Sequence, residues 1–367
     1  MDFQSFKTSL KNSETNYLYF TIILIITIFG LNILLASSSF LASQAHGDAY
    51  YYFKKQVIYA LIAVIILIIF IQIPYTFWYH AAWPIYLISI LLLALVFLPY
   101  IGKSAGGAYR WIQIGPLTLQ PSDLAKFSVI LLLSRIFSNT QKSGNTKIAA
   151  SLIIIFLPVS LIGLEPDYGT AIHLVIAAFL LLFLTDFPLS AMGIVFITSL
   201  PAIYLSIRKV TYIWERLSAY LDPYKYRYER AYQLIASYRS FLAGGTWGKG
   251  LGEGIRRHNL QARHTDFIAA IVAEDLGFAG IFLLLLLYFS FAAYGLFKLS
   301  QVENNFGRLL GTGILILFIT QTMMNLAVVF GVMPTTGINL PLFSYGGTSI
   351  LTYMSILGIV LNIMRDS

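Results

Sequence analysis

The chain has 367 residues, of which 58 % are hydrophobic and 11 % are charged, and its mean hydropathy is +0.76. Soluble domains typically carry about 25 % charged residues, so this composition excludes an ordinary soluble protein and indicates a polytopic membrane protein. The net charge is +8, and the absence of cysteine excludes disulfides and cysteine-ligated metal sites.

The apolar runs predict helices rather than a β-barrel. Residues 57–70 are almost continuously apolar, whereas barrel strands alternate apolar and polar side chains. The first run exceeds the roughly 7–15 residues of a cleaved signal sequence, so we expect a retained first helix. Counting runs of roughly 17–25 residues predicts an all-α fold with ten transmembrane helices. They lie near 17–36, 56–73, 82–99, 123–138, 148–164, 168–185, 188–206, 266–297, 307–330 and 345–364.

Loop charge predicts which side of the membrane holds the termini. With ten helices both termini share a side, where the short segments carry eight Lys and Arg against four in the short loops opposite. This favours cytoplasmic termini. The count omits residues 207–265, which carry eleven basic and four acidic residues, and including them would reverse it. We therefore expect one membrane domain, 1–367, with an external loop at 207–265 between helices 7 and 8.

Polar side chains interrupt several apolar segments. Asp123 and Lys126 stand three residues apart on one predicted helix and could pair, while Glu165 and Asp167 flank Pro166 between helices 5 and 6. Ionisable groups within a membrane are candidates for function. Contacts between helices are the alternative, particularly for Gln321 and Asn325, which share one helix face.

The glycine-rich run 244–254 contains Lys249 and invites comparison with phosphate-binding loops. It matches neither the P-loop pattern nor the dinucleotide-binding pattern, and no strand is predicted before it. Two interpretations remain open. The run is either an interfacial turn or an anion-binding segment built from backbone N–H groups and Lys249.

The net charge of +7 on residues 207–265 also has two interpretations. It could be a solvated surface, or it could attract anionic lipid head groups, at about 1 kcal/mol per basic residue. No groove-reading module is present, so nucleic acid is not an expected partner.

Asp266 begins the apolar segment that follows this loop. Thr265 could be the N-cap of a helix and Asp266 a first-turn acid that complements the helix dipole. A carboxylate at the membrane edge is also where a general base could act. Residues alone leave both readings open. Glu274 and Asp275 lie two turns further along, where acids usually face a protein interior or a water-filled cavity.

Several stretches together resemble one family. They are 107–116 with 119–126, Glu165-Pro-Asp-Tyr-Gly-Thr170, Gly248-Lys-Gly250, His264-Thr-Asp-Phe267 with 273–277, and 331–341 with 344–349. In this order they are similar to the SEDS proteins (shape, elongation, division and sporulation), which include FtsW and RodA. Glu165 and the region around residues 232–235 are closer to the FtsW branch than to the RodA branch.

The resemblance implies a ten-helix, N-in/C-in peptidoglycan glycosyltransferase of the bacterial cytoplasmic membrane. Its substrate would be lipid II, an undecaprenyl-diphosphate-linked disaccharide-pentapeptide. Its partners would be a class B penicillin-binding protein and membrane lipids. The family's essential aspartate maps onto Asp266, which we expect to be the general base. Substrate binding is assigned to Arg110, Lys126, Arg216, Lys249, Glu165 and Ser344, the four basic residues facing the diphosphate.

One departure from the family lies beside Asp266, because residues 260–263 read Leu-Gln-Ala-Arg where Leu-Pro-Glu is common. Two other functions remain as alternatives: a lipid-linked precursor flippase or transporter, and a non-catalytic scaffold for a penicillin-binding protein. The sequence contains no metal-binding motif, and it leaves any cofactor, including a divalent cation, undetermined.

Overall fold

The apolar runs form long helices in the computed structural model, which describes residues 3–98, 101–105, 108–115, 117–139, 144–254 and 264–366. The helices are α1 (Phe3–His46), α2 (Tyr51–Gln72), α3 (Tyr75–Leu95), α4 (Pro121–Ser138), α5 (Gly144–Leu164), α6 (Tyr168–Phe183), α7 (Leu189–Lys209), α8 (Thr211–Leu221), α9 (Tyr232–Gly244), α10 (Ile268–Leu299), α11 (Asn305–Val329) and α12 (Gly347–Ile363). The strands are β1 (Gly102–Ala105), β2 (Ala108–Ile114) and β3 (Leu117–Leu119).

Each of the ten predicted membrane segments falls on a helix, namely α1 to α7 and α10 to α12. Among the described residues, six helices are long and apolar enough to cross a membrane: α1, α2, α3, α5, α10 and α11. The mostly helical, multi-pass membrane fold is therefore confirmed. The count of ten crossings is a finer statement and stays a prediction.

The helices carry apolar side chains on their outer faces. On α2, Ala63 and Leu67 are buried, whereas Leu61 and Ile65 are 62 % and 59 % exposed. A helix on the surface of a soluble protein would place polar residues there. Where two membrane helices pack closely, the residues at the contact are small. At one such contact, a Cβ on Gly358 of α12 would lie 2.7 Å from the Leu67 carbonyl oxygen of α2. The outer surface is thus suited to lipid.

Helix α4 lies at the centre of the bundle. Fourteen of its 18 residues are buried, and it contacts α3, α5, α6 and α11. A helix that is covered on all sides brings its polar residues into the interior, where they require partners. Asp123 and Lys126 are two such residues, and they lie at the N-terminal end of α4.

A small antiparallel sheet precedes α4 and corrects the all-α prediction. The strand order is β1-β2-β3, with an irregularity between Lys103 and Ser104. The Thr348 hydroxyl, at the start of α12, donates to the carbonyl oxygen of Thr118 in β3. The sheet thereby lies against the end of the bundle where α4 and α12 begin.

Helix α10 is broken at Gly277, whose φ of 65° and ψ of −158° are non-helical. The glycine-rich segment 244–254 fills the break, and we call this arrangement the glycine joint. Its backbone hydrogen bonds satisfy N–H and C=O groups that the two helix ends at the break would otherwise leave without partners. Four bonds of 2.9 to 3.1 Å form it: Lys249 and Gly250 donate to the carbonyls of Glu274 and Asp275, and Phe278 and Ala279 donate to those of Gly245 and Thr246.

Helix α9 and the glycine joint bind one each of the two acids of α10. Ser240 Oγ donates to Glu274 Oε2 at 3.2 Å, and Gly252 N donates to Asp275 Oδ2 at 2.9 Å. These acids therefore face the protein interior, as expected. The N–H groups of residues 248–250 bond within the protein, so the interpretation of these groups as an anion site is wrong. The predicted helix near 266–297 corresponds to α10, and its break at Gly277 was not predicted.

Gly277→Ala is expected to destabilise the folded protein by about 3 kcal/mol or more. An alanine Cβ would lie 2.4 Å from Gly248 N and would require a backbone conformation that only glycine adopts readily. Thermal unfolding in detergent measures the effect. Gly193→Ala in α7 is the control, because a Cβ there meets nothing within 4 Å. Equal melting temperatures for the two variants would contradict the prediction.

Candidate active site

Asp266 lies two residues before α10. The helix begins at Ile268 with Phe267 at the N-cap, and no side chain caps it. The interpretation of Thr265 as a cap and Asp266 as a first-turn acid is therefore wrong. Asp266 is partly exposed, and within the described ranges no hydrogen bond reaches its carboxylate oxygens. The carboxylate is thus available for chemistry.

Three consecutive backbone carbonyls hold Asp266 in position. They bond to α11 and to the segment 331–346, which we call the 331–346 loop. Because the bonds are made by the backbone, they fix the residue without occupying its side chain. The acceptors and donors are His264 O with Tyr345 N at 2.9 Å, Thr265 O with Ser344 Oγ at 2.8 Å, and Asp266 O with Asn325 Nδ2 at 2.8 Å.

The 331–346 loop lies between Asp266 and the start of α6. A Cβ on Gly337, where φ is 80°, would lie 3.9 Å from Asp266 Oδ2, and a Cβ on Gly169 would lie 2.6 Å from the Thr336 carbonyl oxygen. Side chains from the surrounding elements donate to the loop's carbonyls, which makes it a fixed wall of the site. These bonds are Tyr220 to Val332, Arg216 to Thr335, Asn325 to Ile338, Gln321 to Asn339 and Tyr288 to Pro341.

Two arginines act on Asp266 electrostatically. Burial raises the pKa of Asp266 to about 6; Arg216 opposes this rise, Asp167 adds to it, and Arg110 opposes it. Arg216 donates to the Thr335 carbonyl at 2.5 Å. Arg110 donates to the carbonyls of Glu165 and Pro166, at 3.2 and 2.5 Å. Neutral backbone acceptors thus hold both guanidinium groups near the carboxylate.

Glu165 and Asp167 have different environments on either side of Pro166. Glu165 is 1 % exposed, and among the described residues neither of its carboxyl oxygens has a hydrogen-bond partner. Burial, and then Asp167, raise the pKa of Glu165 to about 8 despite Arg110, so this group is neutral at pH 7. Asp167 instead caps α6, accepting from the backbone N and hydroxyl of Thr170 at 3.3 and 2.9 Å. A neutral Glu165 reduces the negative charge near Asp266.

Lys126 lies in a buried polar network beneath the site. Its ammonium is 2.8 Å from Asp123 Oδ1 and 2.9 Å from Gln321 Oε1, which also accepts from the Tyr353 hydroxyl. Gln321 Nε2 donates to Asn339 Oδ1 at 2.8 Å. The predicted pairing of Asp123 with Lys126 is confirmed. The network joins α4, α11, α12 and the 331–346 loop, and a contact between Lys126 and substrate stays a prediction.

Five of the seven predicted site residues lie together: Asp266, Arg110, Arg216, Glu165 and Ser344. The Ser344 hydroxyl makes backbone hydrogen bonds, since it donates to Thr265 O and accepts from Leu340 N at 2.9 Å. Lys249 is exposed in the glycine joint beside Glu274. Glu274 is eight residues beyond Asp266, or about 12 Å along a helix axis, so the structure does not bring Lys249 into this group.

Asn325 and Asp167 belong to the site, although sequence reasoning assigned them no site role. The available signals were their polarity next to apolar helices and, for Asn325, its spacing from Gln321. Residues 260–263, where the sequence departs from the family pattern, lie outside the described residues. The description resumes at His264. Among the residues that the structure describes, no group of three or more His, Asp or Glu side chains is placed to hold a metal ion.

Asn325→Ala is expected to lower kcat about 10- to 100-fold with KM changed less than about twofold. Asn325 Nδ2 donates to Asp266 O and to Ile338 O, both at 2.8 Å, so its loss releases the backbone that positions Asp266. Steady-state assays of the glycosyltransferase activity that the family resemblance implies measure both constants. Thr322→Val on α11 is the control, because the Thr322 hydroxyl donates only within its helix, to Phe318 O. An unchanged kcat for Asn325→Ala would exclude this positioning role.

Known proteins are similar to this chain in both sequence and fold. The family model FTSW_RODA_SPOVE, described as a cell cycle protein, matches residues 16–367. A probable peptidoglycan glycosyltransferase FtsW of Geobacter metallireducens is 34 % identical over 98 % of this chain and 97 % of its own length. The protein of the same name from Bacillus subtilis is 32 % identical over 96 % and 92 %.

Solved structures agree with the sequence matches. A chain of a peptidoglycan synthase complex, described as coordinating polymerization and crosslinking, superposes with a TM-score of 0.80 at 27 % identity, over 95 % of this chain and 97 % of that chain. The rod shape determining protein RodA of Thermus thermophilus gives a TM-score of 0.71 at 25 % identity, over 95 % and 96 %.

Proposed function

This chain belongs to the FtsW, RodA and SpoVE family of cell cycle proteins and is a peptidoglycan glycosyltransferase, and we propose that it polymerises lipid II with Asp266 as general base. The observation that carries the proposal is the state of the Asp266 carboxylate. The residue as a whole is partly exposed, its backbone carbonyl is held by Asn325, and two arginines act on the carboxylate electrostatically. Its pKa of about 6 keeps it ionised, yet basic enough to accept a proton at neutral pH.

In the proposed reaction the hydroxyl of the acceptor sugar attacks the anomeric carbon of the donor sugar. The carboxylate of Asp266 takes the hydroxyl proton as the new glycosidic bond forms. The bond between the anomeric carbon and the lipid diphosphate breaks, and the diphosphate leaves with the bonding electron pair. General-base catalysis of this kind contributes about 10²–10⁴-fold.

The leaving diphosphate requires positive charge rather than a proton. Arg110 and Arg216 are the best placed of the predicted basic residues, because both act electrostatically on Asp266. Guanidinium groups suit phosphate oxygens through paired N–H donors. The neutral Glu165, whose backbone carbonyl accepts from Arg110, adds no repulsion at pH 7. Lys126 would support this region from beneath, and Lys249 would act on a more distant part of the substrate.

The proposed topology has ten crossings with both termini in the cytoplasm. Helices α4, α6, α10 and α12 all begin at the face that holds Asp266. Since α12 starts there, the C-terminus lies at the opposite face, together with the start of α1. With eight basic residues in the short segments of the terminal side against four opposite, Asp266 would face outward from the bacterial cytoplasmic membrane. A class B penicillin-binding protein is the proposed partner there.

Reconstitution in proteoliposomes with lipid II and a class B penicillin-binding protein tests the function. We expect glycan strands, separable by gel electrophoresis, from the complete system. Transport of lipid II across the bilayer without strand formation would support a flippase instead. Strand formation that required only the penicillin-binding protein would support a scaffold.

The activity is expected to follow a bell-shaped pH profile between about 6 and about 8. Below pH 6 Asp266 is protonated and cannot act as a base, so the rate falls as the pH falls. Above pH 8 Glu165 ionises, and its negative charge opposes binding of the diphosphate. Glu165→Gln should keep the acid limb and lose the alkaline limb. An alkaline limb that persists in Glu165→Gln would exclude Glu165 as its source.

A further inference from the structure

A second polar site lies at the end of the bundle away from Asp266. A cavity of about 300 Å³ opens between α3, α4 and α5, lined in part by Tyr79, Trp83, Arg135 and Lys147. Arg135 is fifteen residues along α4 from Gln120, which bonds to Asp167 at the site face. At about 1.5 Å per residue, roughly 22 Å separate the two levels. The cavity therefore opens toward the membrane leaflet opposite Asp266.

The cavity is positively charged. The Arg135 guanidinium lies 4.8 Å from the centre of the Tyr79 ring, and Lys147 Nζ donates to the Asn139 carbonyl at 2.5 Å. Among the described residues no acidic side chain lines the cavity, and the sequence from 136 to 150 contains none. Two cations beside neutral partners in one concave site favour an anion, and guanidinium suits phosphate in particular.

A neighbouring cavity extends this site. It has a volume of about 470 Å³ and shares Tyr79 and Asn139 with the charged cavity. Its wall includes Ser138, His80 and Asn305, and no acidic residue from the described part of the chain. Hydroxyl, amide and imidazole groups next to a phosphate site fit a polar, hydroxyl-bearing head group.

Exposed apolar side chains of α3 and α5 continue outward from the charged cavity, and we call the surface between these two helices the α3–α5 groove. Tyr86 of α3 donates to the Ile154 carbonyl of α5 at 3.2 Å and so joins the two helices there. Leu87 and Leu157, one on each helix, are 60 % and 43 % exposed above it. Trp83, 44 % exposed, stands where the groove meets the cavity, a position typical of interfacial aromatic residues. A cavity for phosphate that continues into an apolar groove matches the two parts of a phospholipid.

We propose that the Arg135–Lys147 cavity binds the phosphate of an anionic glycerophospholipid from the leaflet opposite Asp266. One acyl chain lies in the groove between α3 and α5, and the rest of the head group occupies the neighbouring polar cavity. The site is separate from the candidate active site and does not depend on the proposed reaction. It offers a means by which lipid composition acts on the central helix α4, since Arg135 is part of that helix.

The test uses the purified full-length chain and native mass spectrometry with phosphatidylglycerol and phosphatidylcholine. Wild type is expected to prefer phosphatidylglycerol roughly 10- to 30-fold, at about a tenfold gain or less per basic residue. The double variant Arg135→Gln with Lys147→Gln should lose this preference. Arg365→Gln, which removes an exposed charge at the same end of the protein, should keep it. Equal losses in both would overturn the proposal.

Two further arms separate the sources of phosphate and remove dependence on variant folding. Inorganic phosphate and glycerol phosphate are expected not to displace the lipid at millimolar concentration, and displacement would indicate a soluble-phosphate site instead. A photoactivatable phosphatidylglycerol should label wild-type peptides from α3 and α5. Labelling spread evenly over all membrane helices would overturn the proposal.

Discussion

Asp266→Asn is expected to reduce strand synthesis from lipid II about 10²–10⁴-fold while the protein stays folded. Asparagine has the shape of aspartate but cannot accept the proton of the acceptor hydroxyl. No hydrogen bond within the described residues depends on the carboxylate, and the bond that Asn325 donates to the Asp266 backbone carbonyl is retained. Quantitative glycan electrophoresis with the partner protein present measures the loss.

Asp222→Asn serves as the control for charge. Asp222 is exposed, follows α8, and accepts only a local bond from Lys225 N, so its substitution should leave the rate within about twofold of wild type. Thermal unfolding should show that Asp266→Asn melts close to wild type. A folded Asp266→Asn protein that retains more than a tenth of the activity would exclude Asp266 as the general base.

Lys126→Met is expected to have the largest effect on stability, about 3–5 kcal/mol. The variant leaves the carboxylate of Asp123, 8 % exposed, without its partner at 2.8 Å. It also removes the cation bonded to Gln321 Oε1. Folded yield after detergent extraction and the melting temperature both report the loss.

The double variant Asp123→Asn with Lys126→Met separates charge from packing. It should recover a large part of the stability, because no buried charge remains uncompensated. If the double variant were as unstable as Lys126→Met alone, the unpaired carboxylate would not be the cause, and the loss would have to come from the Gln321 bond or from packing.

The positions of the helices were predictable because lipid imposes a length and a composition on any segment that crosses it. The run at 57–70 lies within α2, and the pairing of Asp123 with Lys126 followed from their spacing on one helix. The β1–β3 sheet was missed because its strands are short and interrupted by glycine and proline. Its stability comes from contacts such as Thr348 to Thr118, which are remote in the sequence.

The site was predictable only in part for the same reason. Asp266, Arg110 and Arg216 were identified as candidates, but what holds them was not. Asn325 contacts a residue 59 positions away, and Ser344 contacts one 79 positions away. Neither bond produces a recognisable pattern among neighbouring residues of the sequence. Local rules offered Thr265 as an N-cap and Asp266 as a first-turn acid, but the helix begins at Ile268, so this reading failed where function is proposed.

The glycine joint also divides α10 into two segments of different length. An unbroken α10 of 32 residues would measure about 48 Å, well beyond the roughly 30 Å of a hydrocarbon core. The 22 residues after Gly277 measure about 33 Å and can cross the core alone. The nine residues before it, about 14 Å, can stand above the bilayer. In the proposed topology the break therefore sets the height of Asp266 over the membrane, at the level where the sugars of the proposed lipid-linked substrate would emerge from the lipid surface.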